Sequence, residues 1–398
     1  MKNLIYLIIG TTIFISSCVK FPNSRPGTTT DELEISENFD WKTIETKTVS
    51  SAGVFSVINQ DGDTIASNLP AGEYNLYVGK GSILTTVASN VNLEIDTKAI
   101  STPSTGTKSR VYFPCENKYA TVMFEDLFPY SGDKDMNDVV FGLNIEYDID
   151  KNAKVVAINF NIQPRAVGST QTYIGIAANF TGLPVTVSRI ARTSTDYPSI
   201  NNNHTDLAPI YNVNPKTNYY EPVKSTETIK DYKVAPFTGN FRSFFVNAPT
   251  YTTFINVFNI GGSTASRKFT AKVTFTTLIP YTSFTFLDSY NANKVNISLF
   301  TTFENKSKEV HFKGQIPSSY FDLSLFQPTG RTDFSSAYDS WVWAIMSDKS
   351  VRHPLETVRI NNAYPDFALW VSTQDRTNWY GSKVLDSLFT KVNFAYFD

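Results

Sequence analysis

The chain has 398 residues, 41% of them hydrophobic and 14% aromatic, and a formal net charge of −2. That length exceeds what one ordinary compact domain needs, and the apolar share is ample for packed cores, which excludes a disordered chain. Near-neutral charge with scattered Lys and Arg excludes a surface built for polyphosphate, so nucleic acid is not an expected partner.

Lys2 precedes an apolar run over residues 4–15, "LIYLIIGTTIFI", which is shorter than a spanning helix requires. It ends in Ser16, Ser17 and Cys18, the small-small-Cys arrangement of a lipoprotein cleavage site. A signal peptide is expected over 1–17, with acylated Cys18 as the mature N-terminus. Two or more acyl chains anchor stably where one is marginal, so the membrane is the expected partner through lipid. The expected location is extracytoplasmic, at the outer membrane or cell surface. Residues 18–38, with two prolines and a Thr run, read as a flexible tether. Cys115 is then left without a disulfide partner, and its apolar setting predicts a buried, inert thiol.

Residues 39–100 alternate strand and turn. Two apolar runs flank Asp61-Gly62, a hairpin signal, and Tyr74, Leu76 and Val78 follow with period two. "VNLEI" over 91–95 predicts another strand. A small β-sandwich is expected here, and its hairpin followed by "LPAGEYNLYV" resembles prealbumin-like β-modules. The stretch "STPSTGTKS" over 101–109 breaks the pattern and marks the expected domain boundary. From 110 to 398 strand-like runs continue: "ATVMF", "VVFGLNIEYDI", "KVVAINFNIQPRA", "TYIGIAANF", "TTFINVFNI" and "KFTAKVTFTTLI". They predict a larger β-sandwich or jelly-roll. Helix signals come only near the end, at "AYPDFALWVST" behind Pro365 and at "SKVLDSLF" over 382–389. The fold class is mainly β.

One stretch concentrates charge. Glu125, Asp126, Asp133, Asp135, Asn137 and Asp138 lie within fourteen residues, between strands marked by Val122 and Phe124 and by Val139 and Phe141. Oxygen-bearing side chains at alternate positions of a tight loop can converge on one point, as at positions 1, 3 and 5 of a calcium loop. Hard oxygen donors without thiol or imidazole predict Ca²⁺ as the cofactor. An EF-hand is excluded, because Asp138 stands where that loop needs Gly and Asn144 where it needs Glu, and a strand follows instead of a helix. The same spacing at Asp148, Asp150 and Asn152 has Lys151 and Lys154 beside it, and reads as a turn.

"ATVMFEDLFPYSGDKDMNDVVF" resembles the signature of the LruC-type domain of Gram-negative lipoproteins. The matching positions include Phe124, Glu125, Asp126, Pro129, Gly132 and Asp133, then Asp135, Asn137 and Asp138. Trp343-Ala344, Pro354 and Glu356, the run from Ala363 to Trp370, and Trp379-Tyr380 resemble the end of the same domain. The resemblance runs from Arg110 to the C-terminus. It implies a β-rich extracytoplasmic lipoprotein domain with bound calcium and, by usual suggestion, an adhesive role.

For catalysis the sequence offers little. His204, His311 and His353 lie in unrelated segments, His353 in what reads as a turn, and no H-E-x-x-H or G-x-S-x-G occurs. No catalytic residue is assigned and no enzymatic activity is expected. The alternative is a glycoside-active enzyme using Glu125 and Asp126 as paired carboxylates. Expected partners are a glycan or a host or cell-surface protein. Trp341, Trp343, Trp370, Trp379 and Tyr380, at strand and helix spacing, are expected in the core; a sugar platform would instead show them on one exposed face.

Overall fold

The computed structural model describes residues 33–89, 109–193, 212–213, 220–221, 233–246, 254–304, 307–373 and 378–391. The expected signal peptide, Cys18, most of the tether, the strand at 91–95, most of the boundary at 101–109 and His204 lie outside them. Among the described residues, no helix is long and apolar enough to cross a membrane.

β-Branched and aromatic residues at alternate positions build the strands, and the alternation fixes which face each one buries. β1 (Ile44–Ser51) pairs antiparallel with β4 (Gly72–Gly79). β2 (Phe55–Asn59) and β3 (Thr64–Leu69) form the hairpin expected at Asp61-Gly62. Gly62 sits there at φ +80°, a conformation that favours glycine. β5 (Leu84–Ala88) adds to the outer side of β2.

β3 then pairs with β6 (Ser109–Phe113) through Ala66↔Val111. The small sandwich and the larger assembly therefore share one sheet across the expected boundary, and Glu34–Asp398 forms one compact unit. β7 (Ala120–Phe124), β8 (Val139–Ile149) and β9 (Lys154–Ala166) carry the middle of that sheet. The first half of β8 pairs β7 and its second half pairs β6, while β9 runs along its other edge. The strand Phe269–Phe275 and β11 (Val187–Thr193) extend the sheet beyond β9, and Ala344–Ser347 extends it beyond β7.

A five-stranded sheet holds β10 (Ile174–Gly182) between Val234–Thr238 and Val295–Phe303. Rings from the two sheets meet in the core: Phe160 with Phe237 at 4.7 Å and Phe180 with Phe275 at 5.3 Å. The mainly-β reading holds, with the layered arrangement of a sandwich.

Two expected elements differ. In "TTFINVFNI" Ile255 makes only an isolated bridge to Val167. Asn256 turns the backbone to φ 60°, and its side-chain amide bonds Arg165 O and Thr264 O instead of continuing a ladder. At 382–389 a 3₁₀ turn, Leu385–Ser387, replaces two helical turns, because Leu388 bridges Pro354 and Phe389 N donates to His353 O. The helix expected behind Pro365 is present as Asp366–Thr373.

Candidate metal centre

β7 delivers the chain to the site. After Phe124 the backbone leaves the sheet with Glu125 N donating to Trp343 O at 2.9 Å, so Glu125 is fixed by the strand's neighbour. Between the acidic positions, Lys134 and Met136 sit at φ 63° and φ 57°, left-handed values that non-glycine residues seldom adopt. Met136 is held there by full burial and by donating its N–H to Glu125 Oε1 at 2.6 Å.

Glu125, Asp133 and Asp135 each bring a carboxylate oxygen within 4.8 Å of the others. Glu125 and Asp135 are only 1% exposed. Asp135 accepts from Asn137 N at 3.1 Å and from Thr357 N at 2.8 Å. Glu125 Oε2 is buried and has no hydrogen-bond partner among the described residues. Gly132 makes room for it, since a Cβ there would stand 2.7 Å from that oxygen.

The other three predicted donors flank this trio. Asn137 Nδ2 donates to Pro354 O at 3.4 Å, and its Oδ1 is buried without a partner. Asp138 Oδ2 accepts from Asp126 N at 2.6 Å, and Asp126 accepts from Ser169 Oγ at 2.5 Å.

Charge compensation inside the cluster is poor. Lys134, the one lysine of the loop, turns away to Asp339 at 2.6 Å and lies over the Trp341 ring. Burial first, then repulsion from Asp135 and Asp133, pushes Glu125 well above the usual carboxylate range. Asp135 moves the same way through burial and then Asp133, and Asp138 through burial and then Asp126. Two like charges about 4 Å apart repel by about 4 kcal/mol near a protein surface. Several such pairs rival a whole stability of about 5–15 kcal/mol. These carboxylates must hold protons or share a cation, and cation binding would release the protons.

Glu356 is the residue that local sequence reasoning missed. It lies more than two hundred positions downstream, yet its carboxyl is pushed up to about 8 by burial and then by Asp133 and Asp126. Its Oε2 is a third buried oxygen without a partner among the described residues. The turn that carries it is pinned to the loop by Thr357 N on Asp135 and by Ile360 N on Lys134 O at 2.9 Å. No spacing within the acidic stretch could have signalled it, although Pro354 and Glu356 stand among the LruC-like positions. Every donor in the group is an oxygen, the chemistry of a hard divalent cation.

The C-terminal tryptophans form no exposed platform. Trp341, Trp343, Trp370 and Trp379 are at most 2% exposed. Trp370 packs on Phe39 at 4.7 Å and Trp379 on Tyr364 at 5.0 Å, so these rings fill the core. Tyr380 donates to Asp348 Oδ1 at 2.8 Å. His353 lies outside helix and strand and is fully buried, with Nε2 donating to Asn256 O at 2.6 Å. His311 is buried against Glu309 at 2.7 Å. Cys115 is buried as expected, and burial pushes its thiol up to about 12.

The family model described as "Domain of unknown function (DUF4842)" matches residues 153–380, more than half of the chain, and the chain belongs to that family. No curated protein matches it. A solved structure described as a "Putative lipoprotein from Bacteroides ovatus" is similar in fold. Its TM-score is 0.52 at 16% identity, covering 86% of this chain and 100% of that one.

Proposed function

We propose that this DUF4842 member is a non-enzymatic, lipid-anchored extracytoplasmic protein whose loop 125–138 holds a structural Ca²⁺, and which binds a glycan or a protein at the cell surface, as an adhesin does. The observation that carries the cation is the buried, unpartnered Glu125 Oε2 beside Asp133 and Asp135. An oxygen in that position forfeits its solvation unless something positive meets it. Ca²⁺ suits the donor set better than Mg²⁺, because it accepts six to eight oxygens in flexible geometry. Asn137 Oδ1 and Glu356 Oε2, buried and unpartnered among the described residues, are the further donors this reading assigns.

The anchor rests on the sequence of residues 1–18, and the lipoprotein description of the similar structure agrees with it. The LruC-type signature over the acidic loop and the C-terminal segment points the same way. Adhesion is the broadest reading consistent with a β-rich scaffold carrying a cation-locked loop.

Calorimetric Ca²⁺ titration of the chain from Val19 onward tests the cation, with Asp133→Ala/Asp135→Ala as the comparison. Binding that the double variant loses supports the reading; absence of binding heat in the native chain sinks it. Metabolic labelling with a palmitate analogue tests the anchor. Label should enter the full-length protein and be absent from Cys18→Ala, and an unlabelled native protein would overturn the lipid assignment.

A further inference from the structure

The outward face of the large sheet is polar in a way that solvation does not explain. Along β9 the positions facing away from the core are Asn159, Asn161, Gln163 and Arg165, and across from them β8 places Asn144 and Glu146. An outer sheet face is ordinarily polar and wet. Here Asn144, Gln163 and Arg165 are 4%, 5% and 1% exposed. The segments around Lys118 and Lys349 fold over them and enclose a cavity of about 270 Å³. That is near the small end of ligand pockets, which run from about 300 to 1,000 Å³.

Its lining is set in advance. The Arg165 guanidinium donates to Thr121 Oγ1 at 2.7 Å and to Ser350 Oγ at 2.6 Å. It lies close over Gly142, where a Cβ would come within 2.8 Å of Nη2. Asp348 is held by Tyr380, and Lys118 by Asp63 at 2.7 Å. Gln163 borders the cavity with its side-chain amide unpaired among the described residues. A buried amide that keeps donor and acceptor open toward a cavity is prepared for a ligand that both donates and accepts.

Three basic and three acidic side chains line the cavity: Arg165, Lys118 and Lys349 against Asp61, Asp63 and Asp348. With the formal charges balanced, the lining offers no net charge that would select an anion. Ile65, Val78, Pro114 and Cys115 add apolar surface between the polar groups, and Tyr119 is the one aromatic ring of the lining. Tyr119 also borders a second cavity of about 370 Å³, walled by Arg110, Asn144, Glu146 and Asn161. Asn161 there is fixed by bonds to Asn144 at 3.0 Å and Thr270 at 2.6 Å.

We infer that these adjoining cavities bind a neutral oligosaccharide, with one hexose unit against Gln163 and Arg165 and the next beyond Tyr119. Vicinal hydroxyls, each both donor and acceptor, match a wall of amides, guanidinium and carboxylates around an aromatic ring. This rests on the ligand-binding reading proposed above and names its ligand class, but it uses no atom of the acidic loop.

The test is calorimetry of the chain from Val19 onward with neutral gluco-, galacto-, manno- and N-acetylglucosamine oligosaccharides and their methyl monosaccharides. One oligosaccharide should bind, and more tightly than its monosaccharide. Gln163→Ala and Tyr119→Ala should each weaken it about tenfold. Lys349→Ala, at an exposed rim position, should weaken it a few-fold while leaving the melting temperature unchanged. The inference is overturned if no neutral saccharide binds, or if binding survives all three substitutions unchanged. Adhesion of protein-bearing cells to protein-coated surfaces, measured alongside, separates the two readings. If it persists without any saccharide binding, the oligosaccharide site is overturned and the broader adhesive reading stands.

Discussion

Two stretches of the chain carry the spacing Asp-x-Asp-x-Asn, one over 133–137 and one over 148–152. In the second, each acid finds a local use. Asp148 meets Arg110 at 3.3 Å, Asn159 at 3.3 Å and Lys272 at 3.6 Å. Asp150 accepts from Asn152 N and Lys154 N at 2.9 and 2.8 Å, closing its own hairpin with Ala153 at φ 59°. In the first, Asp135 is buried under the turn that carries Thr357, and Lys134 is drawn off to Asp339. The same local pattern thus makes a compensated turn where Arg110, Lys272 and backbone N–H groups meet its acids. It makes a charged cluster where a distant segment folds over it. What separates them is compensation: buried Asp148 has cations beside it, and buried Asp135 has further carboxylates.

The largest effect expected from this contrast is on calcium-dependent stability. With Ca²⁺ at a thousand times its Kd, the native chain should gain about 4 kcal/mol over its state in EDTA. Asp133→Ala/Asp135→Ala should lose that gain in thermal melts, and an equal gain in the double variant would erase the contrast.

Acid should loosen the covering segment next. Burial pushes His353 down from 6.5 to about 4. A depressed histidine leaves stability intact above 6.5 and removes it as pH falls toward 4, where the unfolded chain takes up a proton that the folded one refuses. The loss is about 3 kcal/mol, at about 1.4 kcal/mol per pH unit. Denaturant melts of the native chain and His353→Gln between pH 7 and 4 measure it. Parallel slopes for the two would remove His353 from the account.

Glu356→Gln should weaken Ca²⁺ about tenfold, a change of about 1.4 kcal/mol read by calorimetry. Unchanged affinity would mean that Glu356 only covers the cluster. Smallest is Asp150→Ala, which removes two turn hydrogen bonds and should cost about 1 kcal/mol with no change in Ca²⁺ affinity. A calcium effect there would show that the spacing alone makes the site.

Much of the fold was legible because strand signals are local. Leu143, Ile145 and Ile149 alternate along β8 and land in one core, and Gly62 turns the hairpin where Asp61-Gly62 predicted. The misreadings came from competition between segments. "TTFINVFNI" has a strand's composition, but Asn256 spends its amide on Arg165 O and Thr264 O. The C-terminal tryptophans fill the core as expected, through contacts such as that of Trp370 with Phe39, which the local sequence around them does not carry.

The sequence by itself determined the β character, the turn at Asp61-Gly62, the buried thiol of Cys115 and the loop that gathers Glu125, Asp133 and Asp135. Each follows from residues close together in the chain, where period, turn chemistry and reach act directly. Tertiary structure alone decided that Glu356 joins the acids, that Lys134 leaves them, and that Gln163 and Arg165 wall a cavity instead of facing water. Burial sets the free energy of a charge or an amide, and burial is supplied by whichever remote segment packs on top.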